Sequence, residues 1–397
     1  MAVFGLVSAV AGFVKVRYLI DKAVIDNLVF RAHYKVTSAL LFAACIIVSA
    51  NNLIGDPINC ISDGGISGHI LNTYCWITYT FSLPNEFNKV VGTEVAHPGL
   101  GVDNTKEKTY HSYYQWVPFM LFFQGVFFYA PHWMWKQWEE GKIRMISDGM
   151  RGAQLETKQE RSSKASRLVT YILDTLHLHN SYAAGYYFCE VLNLIVVITN
   201  IHLVNKFLGG TFYTYGLDVW NTSQMDPLLR DDPMIKIFPR VTKCTFHKYG
   251  PSGSIQTHDA LCVLALNILN EKIYILLWFW FIGLALMSAA AVLYSMAVLT
   301  MPSTREAILK KRFKFTSDND ANVLIRETQI GDFLLLHLLG QNMSSATFTE
   351  VLGELCRRLK VGSSSGNSPT SVPSAPSTLE MSPIYPEIEK FSKDTEI

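Results

Sequence analysis

Cysteine is the residue type here whose spacing promises chemistry. Cys60 and Cys75 stand with fourteen residues between them in one stretch, and Cys244 and Cys262 with seventeen between them in another. Those spacings match no CxxC zinc pattern, so no metal site is expected. An even four in an oxidising compartment reads as two disulfides, with three pairings open to them. Bridges between the two stretches are preferred, because neither stretch has the apolar material to hold itself. Cys45, Cys189 and Cys356 are expected to be free thiols. Catalytic chemistry finds no support. P-loop, GxSxG and HExxH motifs are all missing, and His177-Leu-His179 is a lone pair without partner ligands. Neither an enzyme nor a cofactor is expected. Asn221-Thr222-Ser223 is a glycosylation sequon, as is Asn342-Met343-Ser344.

The elements that must position these cysteines follow from where charge is missing. Of 397 residues 49% are hydrophobic and only 17% charged, against about 25% in ordinary globular chains. No Asp, Glu, Lys or Arg occurs from Val36 to Gly55, from Thr109 to Trp135, or from Ile273 to Thr304. Each gap reaches the roughly 20 residues that a helix needs to cross a bilayer. A fourth, weaker segment lies between Tyr186 and Leu208, with Glu190 and Lys206 near its ends. Tyr113, Tyr114 and Trp116 before the second span, and Trp133 and Trp135 after it, sit where interfacial anchors belong.

Sidedness comes from lysine and arginine. Lys15, Arg17, Lys22, Arg31 and Lys35 precede the first span, and eight more follow the second, from Lys136 to Arg167. The positive-inside rule makes both termini cytoplasmic and both cysteine stretches external. A net charge of +1 thus averages a basic inside with a more acidic outside, and implies no nucleic-acid partner. Asn221 then faces outward and can carry a glycan, whereas Asn342 cannot. His69, His97 and His111 are external too, where surface histidines seldom sense pH.

The resulting fold class is an all-α membrane protein, with four spans, a cytoplasmic helical domain and a small disulfide-bonded extracellular domain, assembling as a ring around a pore. Its segments are residues 1–35 as a cytoplasmic helix and linker, and spans at 36–54, 113–135, 182–208 and 273–300. Extracellular loops occupy 55–112 and 209–272, and a cytoplasmic loop 136–181. Cytoplasmic helices cover 301–361, and a Ser- and Pro-rich disordered tail covers 362–397. Membrane lipid is the surrounding partner.

Function turns on what four spans can do. Coupled transporters usually place ionisable groups at the bilayer centre, and here only Glu190 offers itself. Near a span end it reads more readily as a capped or interface-reaching carboxylate. Four helices cannot wall a wide pore alone, so conduction requires a ring of subunits. The short apolar segment AVFGLVSAVAGFV either lies on the membrane or folds back into that ring.

Tyr113-Tyr114-Gln115-Trp116-Val117, at the outer start of the second span, resembles the YYQWV signature of the innexins, the invertebrate gap-junction proteins. Tyr74-Cys75-Trp76, the GDFLLLHLLGQN segment, the four spans and two cysteines per outer loop accompany it, so the resemblance covers about residues 1–360. It implies a gap-junction channel subunit at the plasma membrane, passing ions and small molecules between cells through two docked hemichannels. Partners would be further copies, other innexins and the apposed hemichannel, with an octameric ring favoured over a hexamer. The implied disulfides are Cys60 with Cys262 and Cys75 with Cys244. The implied pore funnel is a helix over about Ala2 to Phe13, with Ala2, Val3, Phe4, Leu6 and Val7 lining it. Pro118, directly after the signature, departs from many relatives. An undocked, pannexin-like hemichannel releasing ions and metabolites is the alternative.

Overall fold

The computed structural model describes residues 23–62, 65–102, 107–148, 150, 158–222, 232–312 and 318–365. Four long helices form its centre. α1 runs through Leu28–Arg31, Ala32–Thr37 and Ser38–Ile54, its middle piece wound as a π-helix. α3 is Val117–Glu139, α6 is Asn180–Phe207 and α9 is Ala265–Thr300. Each packs on the next in chain order, and α9 returns to α1, which closes the bundle. Leu41, Val48, Leu121, Phe128, Val197, Val204, Phe281 and Leu284 fill its core. The outer faces are as apolar as the inner ones: Phe119, Phe122, Phe123, Ile195, Ile198, Leu286 and Leu293 are all exposed. A helix apolar all round belongs in lipid or among other helices. α1, α6 and α9 are each long and apolar enough to cross a membrane. α3 is crossed closely by α1 at Gly125, where an added Cβ would stand 2.9 Å from the Phe42 ring.

At one end of the bundle lies a disulfide domain. Its short helix α2, Gly68–Ile77, packs on an antiparallel sheet of β1 (Asn59–Ile61), β2 (Thr80–Ser82), β3 (Thr109–His111), β4 (Val241–Tyr249) and β5 (Ile255–Val263), in the order β1-β5-β4-β2-β3. The all-helical expectation therefore needs correcting here. Val241–Tyr249 and Ile255–Val263 are rich in β-branched and aromatic residues around a Gly250-Pro251-Ser252-Gly253 turn, which is hairpin chemistry. The far half of that hairpin extends past β1 and β2, whose pairing ends at Ile61 and Phe81, and its outermost residues are exposed. α7 (Phe212–Thr222) and α8 (Pro233–Ile237) connect α6 to the hairpin. α9 spans about 54 Å at 1.5 Å per residue, more than a bilayer core requires. Its first turns belong to the disulfide domain, where buried Glu271 pairs with Arg240 at 2.8 Å and Asn267 donates to the Pro239 carbonyl.

At the opposite end α4 (Lys142–Ile146), α5 (Lys158–Asp174), α10 (Pro302–Arg312), α11 (Asp318–Glu327), α12 (Ile330–Asn342) and α13 (Ser345–Ser365) build a helical domain. α13 runs beyond the expected boundary at 361. α12 is its central helix, apolar almost all round, with Leu334, Leu335, Leu336, Leu338 and Leu339 buried against Leu168, Ile172 and Leu355. Gly331 lets α12 touch the start of α6, since a Cβ there would lie 2.2 Å from the His179 carbonyl carbon. His177 and His179 do have a partner: Asp332 accepts from the His177 backbone N–H at 3.1 Å and faces His179 Nδ1 at 3.0 Å. The same carboxylate closes a capping box with Gln329.

Candidate functional site: the disulfide domain and its joint with the bundle

Two bridges hold the disulfide domain. Cys60 is bonded to Cys262 and Cys75 to Cys244, in nested order across 202 and 169 residues of chain. Sheet register brings the first pair together, because Cys60 stands directly opposite Cys262 on β1 and β5. The second ties α2 down onto β4. The sulfurs of Cys60, Cys75 and Cys262 lie within 4.8 Å of one another, so the two bridges stand side by side at the centre of the domain. Bonded sulfurs offer no thiolate to a metal. The surrounding apolar core is small, mainly Ile58, Leu71, Tyr114, Ala260 and Leu264, which is why a domain of this size needs staples.

The aromatic signature is the joint between this domain and α3. Tyr113 donates its hydroxyl to the Ile237 carbonyl at 3.0 Å, and its ring meets Phe238 edge to face. Tyr114 is wholly buried, donates to the Cys75 carbonyl at 3.2 Å and stacks on Trp76 at 4.6 Å. The Gln115 amide donates to the Trp76 carbonyl. Val117 is buried in the bundle, and Trp116 alone faces outward. Three consecutive residues, Tyr113 to Gln115, thus grip α2, its disulfide cysteine and the approach to β4. These tyrosines are structural bolts rather than interfacial anchors. Trp135 is likewise no anchor: it is fully buried and donates to the Ile25 carbonyl at 3.0 Å.

The remaining expected residues fall as follows. Ala2, Val3, Phe4, Leu6 and Val7 lie outside the described residues. Asn221 is exposed at the end of α7, while Ser223 of its sequon is outside the described residues. The side chain of Asn342 is engaged in two hydrogen bonds with the Val24 backbone. Cys45, Cys189 and Cys356 are free thiols. His69 and His97 are exposed, but His111 is buried, with Nε2 2.8 Å from Ser82 Oγ, and burial lowers its pKa to about 4. Sequence alone placed it on the surface, because β3 is too short to show its alternation. Glu190 is buried beside the start of α1, accepting from Asn27 Nδ2 at 2.6 Å and from the Ser295 hydroxyl.

A mostly helical chain with long apolar helices and a disulfide-closed domain at one end of them defines a class, the helical membrane proteins. The innexin family profile matches residues 26–359. The chain is 58% identical to Innexin inx3 of Drosophila melanogaster, with all of both chains covered. It is 44% identical to Innexin inx2 of the same organism, over 88% of this chain and 95% of that one. Innexin shaking-B, also from Drosophila melanogaster, is 42% identical over 84% and 90%. The chain belongs to the innexin family, whose members are gap-junction channel subunits.

Proposed function

We propose that this gap-junction subunit crosses the plasma membrane four times, with both termini cytoplasmic, and assembles into a ring whose disulfide domains dock against those of a ring in the adjacent cell. Lysine and arginine asymmetry supports the orientation. The fourth span is α3, whose Trp, Tyr, Gln and His residues depress its hydropathy without adding charge before Lys136. The observation that carries docking is the disulfide domain itself. Two loops far apart in sequence are locked into one sheet with a projecting hairpin, a rigid surface suited to meeting a second copy. Partners in the ring are further copies of this chain or other innexins, eight favoured over six. Ala2, Val3, Phe4, Leu6 and Val7 line the pore as a funnel. Junctional current between paired cells expressing the chain, alone and with a second innexin, tests the reading. Current is expected in at least one pairing; silence in all of them overturns it.

An undocked hemichannel is favoured by one observation, the exposed Asn221. By the charge asymmetry, a glycan there would stand on the same side of the membrane as the docking face. A mobility shift on glycosidase treatment, with dye release from single cells and no junctional current, would establish that second reading instead.

A further inference from the structure

The four residues that lead into α1 are held by several parts of the molecule. Val24 is clasped through both its N–H and its C=O by Asn342 at the end of α12, at 2.6 and 2.7 Å. Ile25 is held through its carbonyl by Trp135 of α3. Asp26 is bound by Arg31 at 2.9 Å and faces His132 of α3 at 3.6 Å. Asn27 divides its amide: the oxygen accepts from the Phe30 N–H at 2.7 Å and caps α1, while the nitrogen donates to Glu190 of α6. Glu190 also accepts from Ser295 of α9. The first span's entry is thereby tied to α3, α6, α9 and the helical end domain at once.

Packing does not require this chemistry. Glu190 is 5% exposed, and its two donors are neutral; a buried polar set of this kind can often be replaced by apolar groups without loss of stability. Asn193, 3% exposed, lines the same small cavity as Asn27, His33 and Glu190, and its amide has no partner among the described residues. Polar groups retained at such a crossing define a conformation rather than add cohesion.

We infer that Glu190 is a positioning residue for the channel, fixing through Asn27 the start of the first span against α6 and α9. The inference rests on the reading that Ala2 to Val7, which precede that start in the chain, line the pore. Asn27→Asp isolates it. The new carboxylate still caps Phe30, so the helix start is preserved, but the donor to Glu190 is replaced by a like charge. Open probability in paired-cell or single-channel recording is expected to fall about tenfold, the factor that one hydrogen bond to a buried charged group commands, with surface amount unchanged. Adding Glu190→Gln restores a donor and an acceptor in the opposite sense, and recovery to within about twofold of the parent is expected. Parental behaviour of Asn27→Asp, or no recovery in the double variant with both at the surface, overturns the inference. If Asn27→Asp is retained inside the cell, Ser295→Ala decides, since it deletes only the second donor; a reduction in the same direction supports the inference and none overturns it. A chain lacking residues 2–13 separates the two claims. Unaltered single-channel conductance there sinks the pore reading, whereas altered conductance there alongside parental behaviour of Asn27→Asp sinks the positioning role alone.

Discussion

Tyr114 shows what one residue of the signature contributes. Its hydroxyl satisfies the buried Cys75 carbonyl and its ring lies on Trp76. Tyr114→Phe is expected to lower stability by about 1 kcal/mol, and Tyr114→Ala by about 3–5 kcal/mol through the cavity it leaves. Thermal unfolding of the purified protein in detergent measures both. His111 gives a pH dependence at the same scale. Its buried ring titrates near 4 when folded and about 6.5 when unfolded, so between those values only the unfolded chain binds the proton. Stability from the neutral ring is complete above about pH 6.5 and is lost as pH falls towards 4, by about 3 kcal/mol in all. His111→Gln keeps a partner for Ser82 and is expected to flatten this part of the melting profile; an unchanged pH slope would refute the assignment. The YYQWV motif was visible in the sequence, but its role was not. Its partners are backbone carbonyls of residues 75, 76 and 237, which no side-chain pattern encodes.

At the scale of elements, charge gaps located the long helices, while the sheet escaped notice. β1, β2 and β3 have three residues each, too few for alternation to register. The ranking of spans also reversed. α6 looked weakest because of Glu190 and Lys206, yet its apolar stretch meets the length and hydropathy of a membrane helix, whereas α3 is weakened by its aromatic and polar residues. Glu190 was tolerable because Asn27 and Ser295 satisfy it, a contact across elements. The joint between α6 and α12 was hidden for the same reason. Burial alone would push the Asp332 carboxyl up, but hydrogen bonds from the His179 ring and the Gln329 and His177 N–H groups hold it below the usual range. The same carboxylate steadies His177 at φ 68°, a left-handed conformation unusual for a residue with a side chain. Asp332→Ala strips three donors of their acceptor and is expected to cost about 2–4 kcal/mol. Hydrogen exchange should then quicken over residues 176–183 and 330–342 together; loss of protection in α12 alone would mean that the two elements are not coupled here.

For the whole molecule, ring and docking have no local signature. A helix face meeting lipid and one meeting a neighbouring subunit are both apolar, so Phe119, Phe122 and Phe123 do not reveal which they touch. The cysteines speak more clearly, because both bridges lie in the disulfide domain and neither lies in the bundle. Cys60 and Cys262 pin the edge strand β1 to β5, beside the bridge that pins α2 to β4. Removing a bridge that closes so long a segment is expected to cost the disulfide domain about 2–5 kcal/mol while leaving the helix bundle intact. Cys60→Ser or Cys262→Ser should therefore insert, assemble and reach the cell surface, yet fail to dock. Surface biotinylation and particle images of the purified variant report the first two steps, and paired-cell current the last. Single rings at normal surface density with no junctional current are the expected outcome. Undiminished junctional current would place the docking surface elsewhere, and retention inside the cell would mean that the bundle depends on the disulfide domain to fold.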